Sequence, residues 1–199
     1  MRALVRKCPT MRHVHGVAGA PPLRRRPAGF EGLARIIVGQ QLSVASASAI
    51  WERTAALCRP FEPGTILGLA DERLAQAGLS RPKIRTLRAI AGACRNGLDL
   101  GHLQHAAEAE VHAALTQVTG IGPWTADIYI MFCLGRADAW APGDLALQIA
   151  AQQALGLAER PGPQEMAEIA ERWRPWRGVA ARLLWAYYAA VKARKAVPV

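Results

Sequence analysis

Long apolar runs are missing from this chain. No stretch reaches about twenty uninterrupted hydrophobic residues, which argues against a membrane-spanning helix. The basic N-terminal segment, MRALVRKCPTMRHVHG, lacks the continuous apolar stretch of a secretory signal. Both absences lead us to expect a soluble protein of the cytoplasm. Cysteine is sparse as well: Cys8, Cys58, Cys94 and Cys133 lie far apart, with no CxxC pair. That spacing suits neither a disulfide framework nor a zinc or iron–sulfur site, and leaves buried or incidental thiols. Runs that alternate apolar and polar residues are also lacking, so no sheet is expected. No internal repeat of fixed period occurs.

What the sequence does contain is helix former and positive charge. Of 199 residues, 51% are hydrophobic, enough to build a sizeable core. The net charge is +10, which favours a polyanionic partner, nucleic acid or an anionic membrane surface. The 25 basic residues are 21 arginines and only four lysines, Lys7, Lys83, Lys192 and Lys195. With alanine also abundant, part of that bias reflects coding composition, and charge needs a motif beside it. Helical spacing is clear over 31–57, 83–94, 108–118, 145–155, 164–173 and 179–195. Gly39 and Ser43 weaken the middle of the first stretch, and glycines or prolines mark the boundaries of the others. APPLRRRPAGF (20–30) reads as an extended connection. The expected class is all-α.

One short stretch stands out. TGIGPWTAD (119–127) places Gly120 and Gly122 between two helical segments, with Pro123 at the first position of the second. It is not a dinucleotide fingerprint, since the third glycine and a preceding strand are absent, and no Gly-Lys-Ser/Thr makes it a Walker loop. Glycines permit left-handed backbone and close approach. Proline suits a first helical turn because it has no amide hydrogen to lose. The first amides of such a helix are unpaired, and its positive dipole end favours a phosphate. Ile121 is placed to tuck into the core. An ordinary helical hairpin would take the same pattern.

The wider segment, LTQVTGIGPWTADIYIMFCLGRADAWAPGDLAL (115–147), closely resembles the helix-hairpin-helix (HhH-GPD) DNA glycosylase superfamily. The nearest branch is DNA-3-methyladenine glycosylase II, and three more segments agree with it in order: IIVGQQLSVASA (36–47), LSRPKIRTLRAIA (79–91) and ERWRPWRGVAARLLWAYY (171–188). The resemblance implies a two-lobed helical fold with the active-site cleft between the lobes. One lobe would span 30–136 and carry the hairpin (about 115–134); residues 1–29 and 137–199 would build the other. It implies a short form without the β-rich N-terminal domain of longer members. It also implies a monofunctional glycosylase that removes alkylated bases, chiefly 3-methyladenine, from double-stranded DNA in base excision repair. No cofactor or iron–sulfur cluster is implied, and a monomer suffices.

Site residues follow from the same resemblance. Asp144, in APGDLALQIA, matches the catalytic aspartate, although its local sequence alone describes an ordinary helix N-cap. The two roles are compatible, because a helix N-terminus favours an anion. The hairpin residues Gly120, Ile121, Gly122, Trp124 and Thr125 would hold a DNA phosphate. Backbone carbonyls of Thr116, Val118 and Ile121 would bind a monovalent cation, Na+ or K+. Trp124, Trp185 and Ile128 would line the base pocket, although Ile128 and Ala186 stand where familiar relatives have tyrosines. Gln41, or its neighbour Gln40, would enter the stack once a base is extruded. Trp124 occupies the place of the Schiff-base lysine of bifunctional members, so no strand nicking is expected. Asp127 and Asp138 are further carboxylates near the hairpin, Trp173 and Trp176 are expected to be structural, and metal ligation by His102, His105 or His112 is not favoured. Arg24, Arg25, Arg26, Arg85 and Arg88 are candidates for phosphate contact or plain surface charge. The contrasting reading is a helix-hairpin-helix DNA-binding module without catalysis.

Overall fold

The computed structural model describes residues 1–195, and among them every regular element is helical. The chain divides into two compact units, one made of Arg25–Leu134 and the other of Met1–Arg24 with Gly135–Val199. The first boundary lies a few residues before position 30, because the connection has already joined the central unit: Arg26 N–H donates to Phe132 O at 3.0 Å.

The terminal unit is built from α1 (Arg2–Lys7), α2 (Pro9–Ala18), α10 (Leu145–Leu155), α11 (Pro163–Glu171) and α12 (Arg177–Lys195). The basic N-terminal segment, for which no helix was anticipated, forms α1 and α2. Met11 and Val14 are fully buried, as are Leu183 and Leu184, and α2 packs against α12. Trp173, also fully buried, meets Trp140 edge-on at 5.4 Å, which makes it the structural residue expected. Asp138 belongs to an ion-pair network: its carboxylate accepts from Arg174 and Arg177 guanidinium groups, each at 2.9 Å, and from Arg177 N–H at 3.1 Å. Hydrogen bonds from Arg177 and the two guanidinium charges hold its carboxyl below the usual range against the opposing effect of burial. Asp138 therefore pins the start of α12.

The central unit contains α3 (Phe30–Gly39), α4 (Val44–Leu57), α5 (Pro63–Gly68), α6 (Asp71–Gln76), α7 (Arg81–Arg95), α8 (Glu108–Thr116) and α9 (Pro123–Phe132). The stretch 31–57 is thus two helices. Gly39 ends α3, Gln41 takes φ 56°, and Ser43 caps α4 by accepting the Ser46 N–H at 3.1 Å. Leu33, Ile36, Ile37 and Val38 of α3 are buried, as are Ile84, Leu87 and Ile90 of α7, and the two helices pack together. Arg88, on α7, donates to the carbonyls of Ile66, Leu67 and Leu69 and pairs with Asp71. It closes the end of α5, so its charge is used inside the unit rather than offered to a phosphate.

The hairpin joins α8 to α9. Ile121 is buried, with its N–H on Val118 O at 3.0 Å, and Gly122 precedes Pro123 at the start of α9. Gly120 has φ 87°, and a Cβ there would stand 2.1 Å from Thr86 Oγ1 on α7. Thr86 cannot easily yield, since it is buried and its hydroxyl donates to Pro82 O at 3.0 Å. Only glycine lets the turn lie this close. Gly120→Ala should cost about 3 kcal/mol and lower Tm by roughly 10 °C; thermal unfolding followed by circular dichroism measures it, and an unchanged Tm would contradict the close contact.

Candidate functional site

In the terminal unit, Asp144 ends a short turn and begins α10. Its own N–H donates to Ala141 O at 3.1 Å, and Gln148 Nε2 reaches back to Pro142 O at 3.0 Å, tying the loop to the helix. The Asp144 Oδ1 accepts two donors: Leu147 N–H at 2.9 Å, which is the N-cap bond, and Trp185 Nε1–H at 3.0 Å from α12. Both donors complement a negative charge. The carboxylate is largely buried, 9% exposed, while its neighbour Leu145 is 53% exposed. The structure therefore brings together two residues 41 positions apart. The sequence assigned Trp185 to a pocket; its indole N–H also anchors the carboxylate. No local signal could have shown that link.

The hairpin side chains sort by burial. Gly120 and Gly122 are exposed, neither N–H donates to an acceptor among the described residues, and a Cβ on Gly122 would meet only open space. Thr125 faces inward: it is 2% exposed, its N–H donates to Gly122 O at 3.0 Å, and its hydroxyl accepts from Gln40 Nε2 at 2.8 Å. Ile128 is a core residue, 6% exposed, and Trp124 is half-buried in the first turn of α9. Of the three carbonyls considered for a cation, Val118 O already accepts the Ile121 N–H, leaving it one lone pair. The Thr116 hydroxyl turns back to His112 O at 2.8 Å.

The two glutamines separate cleanly. Gln40 is half-buried and bonded to Thr125, with its carbonyl also accepting Lys83 Nζ–H at 2.9 Å. Gln41 is exposed, with its backbone in the left-handed region. Arg24, Arg25 and Arg85 are exposed. No group of three or more histidine, cysteine or acidic side chains converges as a metal site among the described residues, nor is any helix there long and apolar enough to cross a membrane.

Asp127, on α9, has an environment that its sequence does not betray. Burial first, and the neighbouring Glu108 second, raise its carboxyl to about 7. His112 Nε2 lies 3.6 Å from Oδ1 and opposes that rise only when protonated. Burial dominates because only 15% of the Asp127 side chain is exposed.

Residues 34–175 match the HhH-GPD superfamily of base excision DNA repair proteins. The chain is 28% identical over 164 residues to the alkylbase DNA glycosidase-like protein mag2 of Schizosaccharomyces pombe, covering 79% of this chain and 77% of that one. Other curated relatives are longer; the chain spans 58% and 37% of two of them. Among solved structures it resembles a DNA-3-methyladenine glycosidase from Bacillus halodurans, with 34% identity, TM-score 0.79, and coverage of 97% of this chain and 89% of that one. The S. pombe 3-methyladenine DNA glycosylase Mag1, solved in complex with abasic DNA, superposes with TM-score 0.83 at 25% identity, covering 93% and 95% of the two chains.

The Asp127 environment has a measurable consequence. A folded-state carboxyl near 7, against an ordinary 3.8, means that the folded protein holds this proton more tightly than the unfolded chain. Its contribution to stability is therefore lost as pH rises through that window. Asp127→Asn removes the loss: its Tm should exceed wild type by several degrees at about pH 8, and the gap should close towards about pH 4. Equal melting at the higher pH would mean that burial does not penalise the Asp127 carboxylate.

Proposed function

Because the chain belongs to the HhH-GPD superfamily of base excision DNA repair proteins, we propose that it is a monofunctional DNA glycosylase. Its reaction is hydrolysis of the N-glycosidic bond of alkylated bases, chiefly 3-methyladenine. One observation carries the reading: Asp144, which by resemblance we match to the family's catalytic aspartate, has its carboxylate held by two N–H donors from different helices.

Rupture of an N-glycosidic bond leaves positive charge on the sugar, as in other glycoside hydrolyses. A carboxylate about 4 Å from that charge stabilises it by about 4 kcal/mol at an intermediate effective dielectric, nearly three powers of ten in rate. The donors to Oδ1 keep the group from swinging away, so its orientation need not be established during the reaction. The same carboxylate can orient or deprotonate the attacking water. An alkylated purine such as 3-methyladenine carries its positive charge while attached and leaves as a neutral base with the bond's electron pair, so the chemistry does not call for a strong general acid. By the family pattern, Trp124, Trp185 and Ile128 are the residues we assign to the base pocket. A cation over an indole contributes about 0.5–2 kcal/mol, so selectivity rests mainly on the weakened bond of the lesion.

Binding to DNA falls to the hairpin. The exposed N–H groups of Gly120 and Gly122, together with the amino end of α9, suit a phosphate of the damaged strand. Gly122 has no conformational need to be glycine, and the open space beside it is what a close backbone approach requires. Ile121 holds the turn from below, Trp124 flanks it, and the Thr125 amide supports the turn through Gly122 rather than the phosphate. A Na+ or K+ ion on the carbonyls of Thr116, Val118 and Ile121 would add positive charge beside that phosphate. Gln41 is the residue we assign to the vacated place in the base stack; Gln40 is occupied with Thr125 and Lys83.

The test is release of free methylated base from duplex DNA treated with dimethyl sulfate, measured by chromatography. Wild type should release base, and Asp144→Asn should do so about a thousandfold more slowly. Equal rates would end the proposed role of Asp144, and a wild type that binds DNA without releasing base would be a non-catalytic binding module. Borohydride added during turnover should trap no covalent protein–DNA adduct, since no lysine stands at position 124; a trapped adduct would make the protein a glycosylase-lyase.

A further inference from the structure

Lysine is rare in this chain, and one of the four serves two acceptors within the fold. Lys83 lies in the first turn of α7, half-buried, and its ammonium donates to Val38 O at 2.7 Å and Gln40 O at 2.9 Å. These carbonyls sit at the C-terminal end of α3, whose own last turn carries no basic residue. A helix C-terminus gathers negative partial charge on unpaired carbonyls, so α7 supplies the cation that α3 lacks. Burial draws the ammonium below the usual lysine range; the two carbonyls oppose that effect.

A second anchor comes from α9, where the buried Thr125 hydroxyl accepts Gln40 Nε2–H at 2.8 Å. Gln40 is thus held by its carbonyl from α7 and by its side chain from α9. The next residue, Gln41, is exposed at φ 56°, the one positive φ at a residue other than glycine among those described. Such a backbone persists only where its surroundings over-determine it. The turn is closed locally by Leu42 N–H on Gly39 O at 3.4 Å, and the two anchors on Gln40 hold its first corner.

We infer that Lys83 is a positioning residue for base extrusion, holding the end of α3 so that Gln41 is presented in the conformation from which it enters the DNA stack. The inference rests on the reading of Gln41 as the inserted side chain. A lysine suits the task because its three donors surround one nitrogen and can serve two neighbouring carbonyls; an arginine spreads its donors over a planar fork.

The experiment uses an oligonucleotide methylated with dimethyl sulfate and annealed to one of two partners. One partner is the full complement; the other leaves the methylated purines facing abasic sites, where extrusion meets little resistance. Lys83→Met should slow release from the fully paired duplex roughly tenfold and from the abasic-opposed duplex less than twofold. The double variant Lys83→Met/Gln41→Ala should be no slower than Gln41→Ala alone, because both changes remove the same step. Equal slowing on the two duplexes, or additive losses in the double variant, overturns the role of Lys83 while leaving the glycosylase reading intact. If wild type releases base from neither duplex, that reading falls and this inference falls with it. Should Lys83→Met lose its helical circular dichroism, Lys83→Arg is measured on the same pair of duplexes against the same expectation.

Discussion

The central unit depends on how closely the hairpin can approach α7. At Gly120 the approach leaves no room for a side chain, since Thr86 Oγ1 occupies the place where a Cβ would go. Thr86 stands three residues after Lys83, one turn along the same helix face. From adjacent positions, then, α7 supports two loops: the turn with the exposed Gly120 and Gly122 amides, and the α3–α4 loop with Gln41 at its tip. The Gln40–Thr125 bond ties the second loop to the helix that follows the first. Under the proposed function, phosphate grip and base replacement share one rigid support, so their spacing does not have to be recovered each time DNA binds.

The terminal unit solves a different problem. A carboxylate intended for chemistry has to be held without being neutralised. Asp138 shows the structural outcome, gripped by Arg174 and Arg177 and spent on the start of α12. Asp144 accepts an amide N–H and an indole N–H, two neutral donors that orient the group. Asp127 shows a third outcome, in which burial against an acidic neighbour favours the protonated form. The contrast among three aspartates of one chain arises from their partners, since the residue type is the same.

The exposed glutamine and the buried carboxylate also differ in how each is stabilised. Gln41 takes its positive φ in a turn closed by Leu42 N–H on Gly39 O, and both anchors act on the residue before it. Asp144 keeps an ordinary backbone and gains its orientation from side-chain acceptance at a helix end. Under the proposed function, a positive-φ loop would present Gln41 to the DNA and a capped helix end would keep Asp144 still.

Much was already legible in the residue order. Helix periodicity, the Gly-Ile-Gly-Pro turn and the helix-capping character of Asp144 are local properties, set within a few residues by backbone sterics and side-chain reach, and each has its counterpart in the structure. The family could be read as well, because its motifs are contiguous. What only the tertiary structure decided lies between residues distant in the chain: Trp185 on Asp144, Lys83 on the end of α3, Thr125 turned inward to Gln40, and Arg88 consumed at α5. Amphipathic spacing also missed α1 and α2, short helices whose apolar residues acquire meaning only against α12. The physical reason is common to all of these. A side chain's donors, charge and exposure belong to the partners that packing brings to it, and a linear sequence names those partners only when they are neighbours.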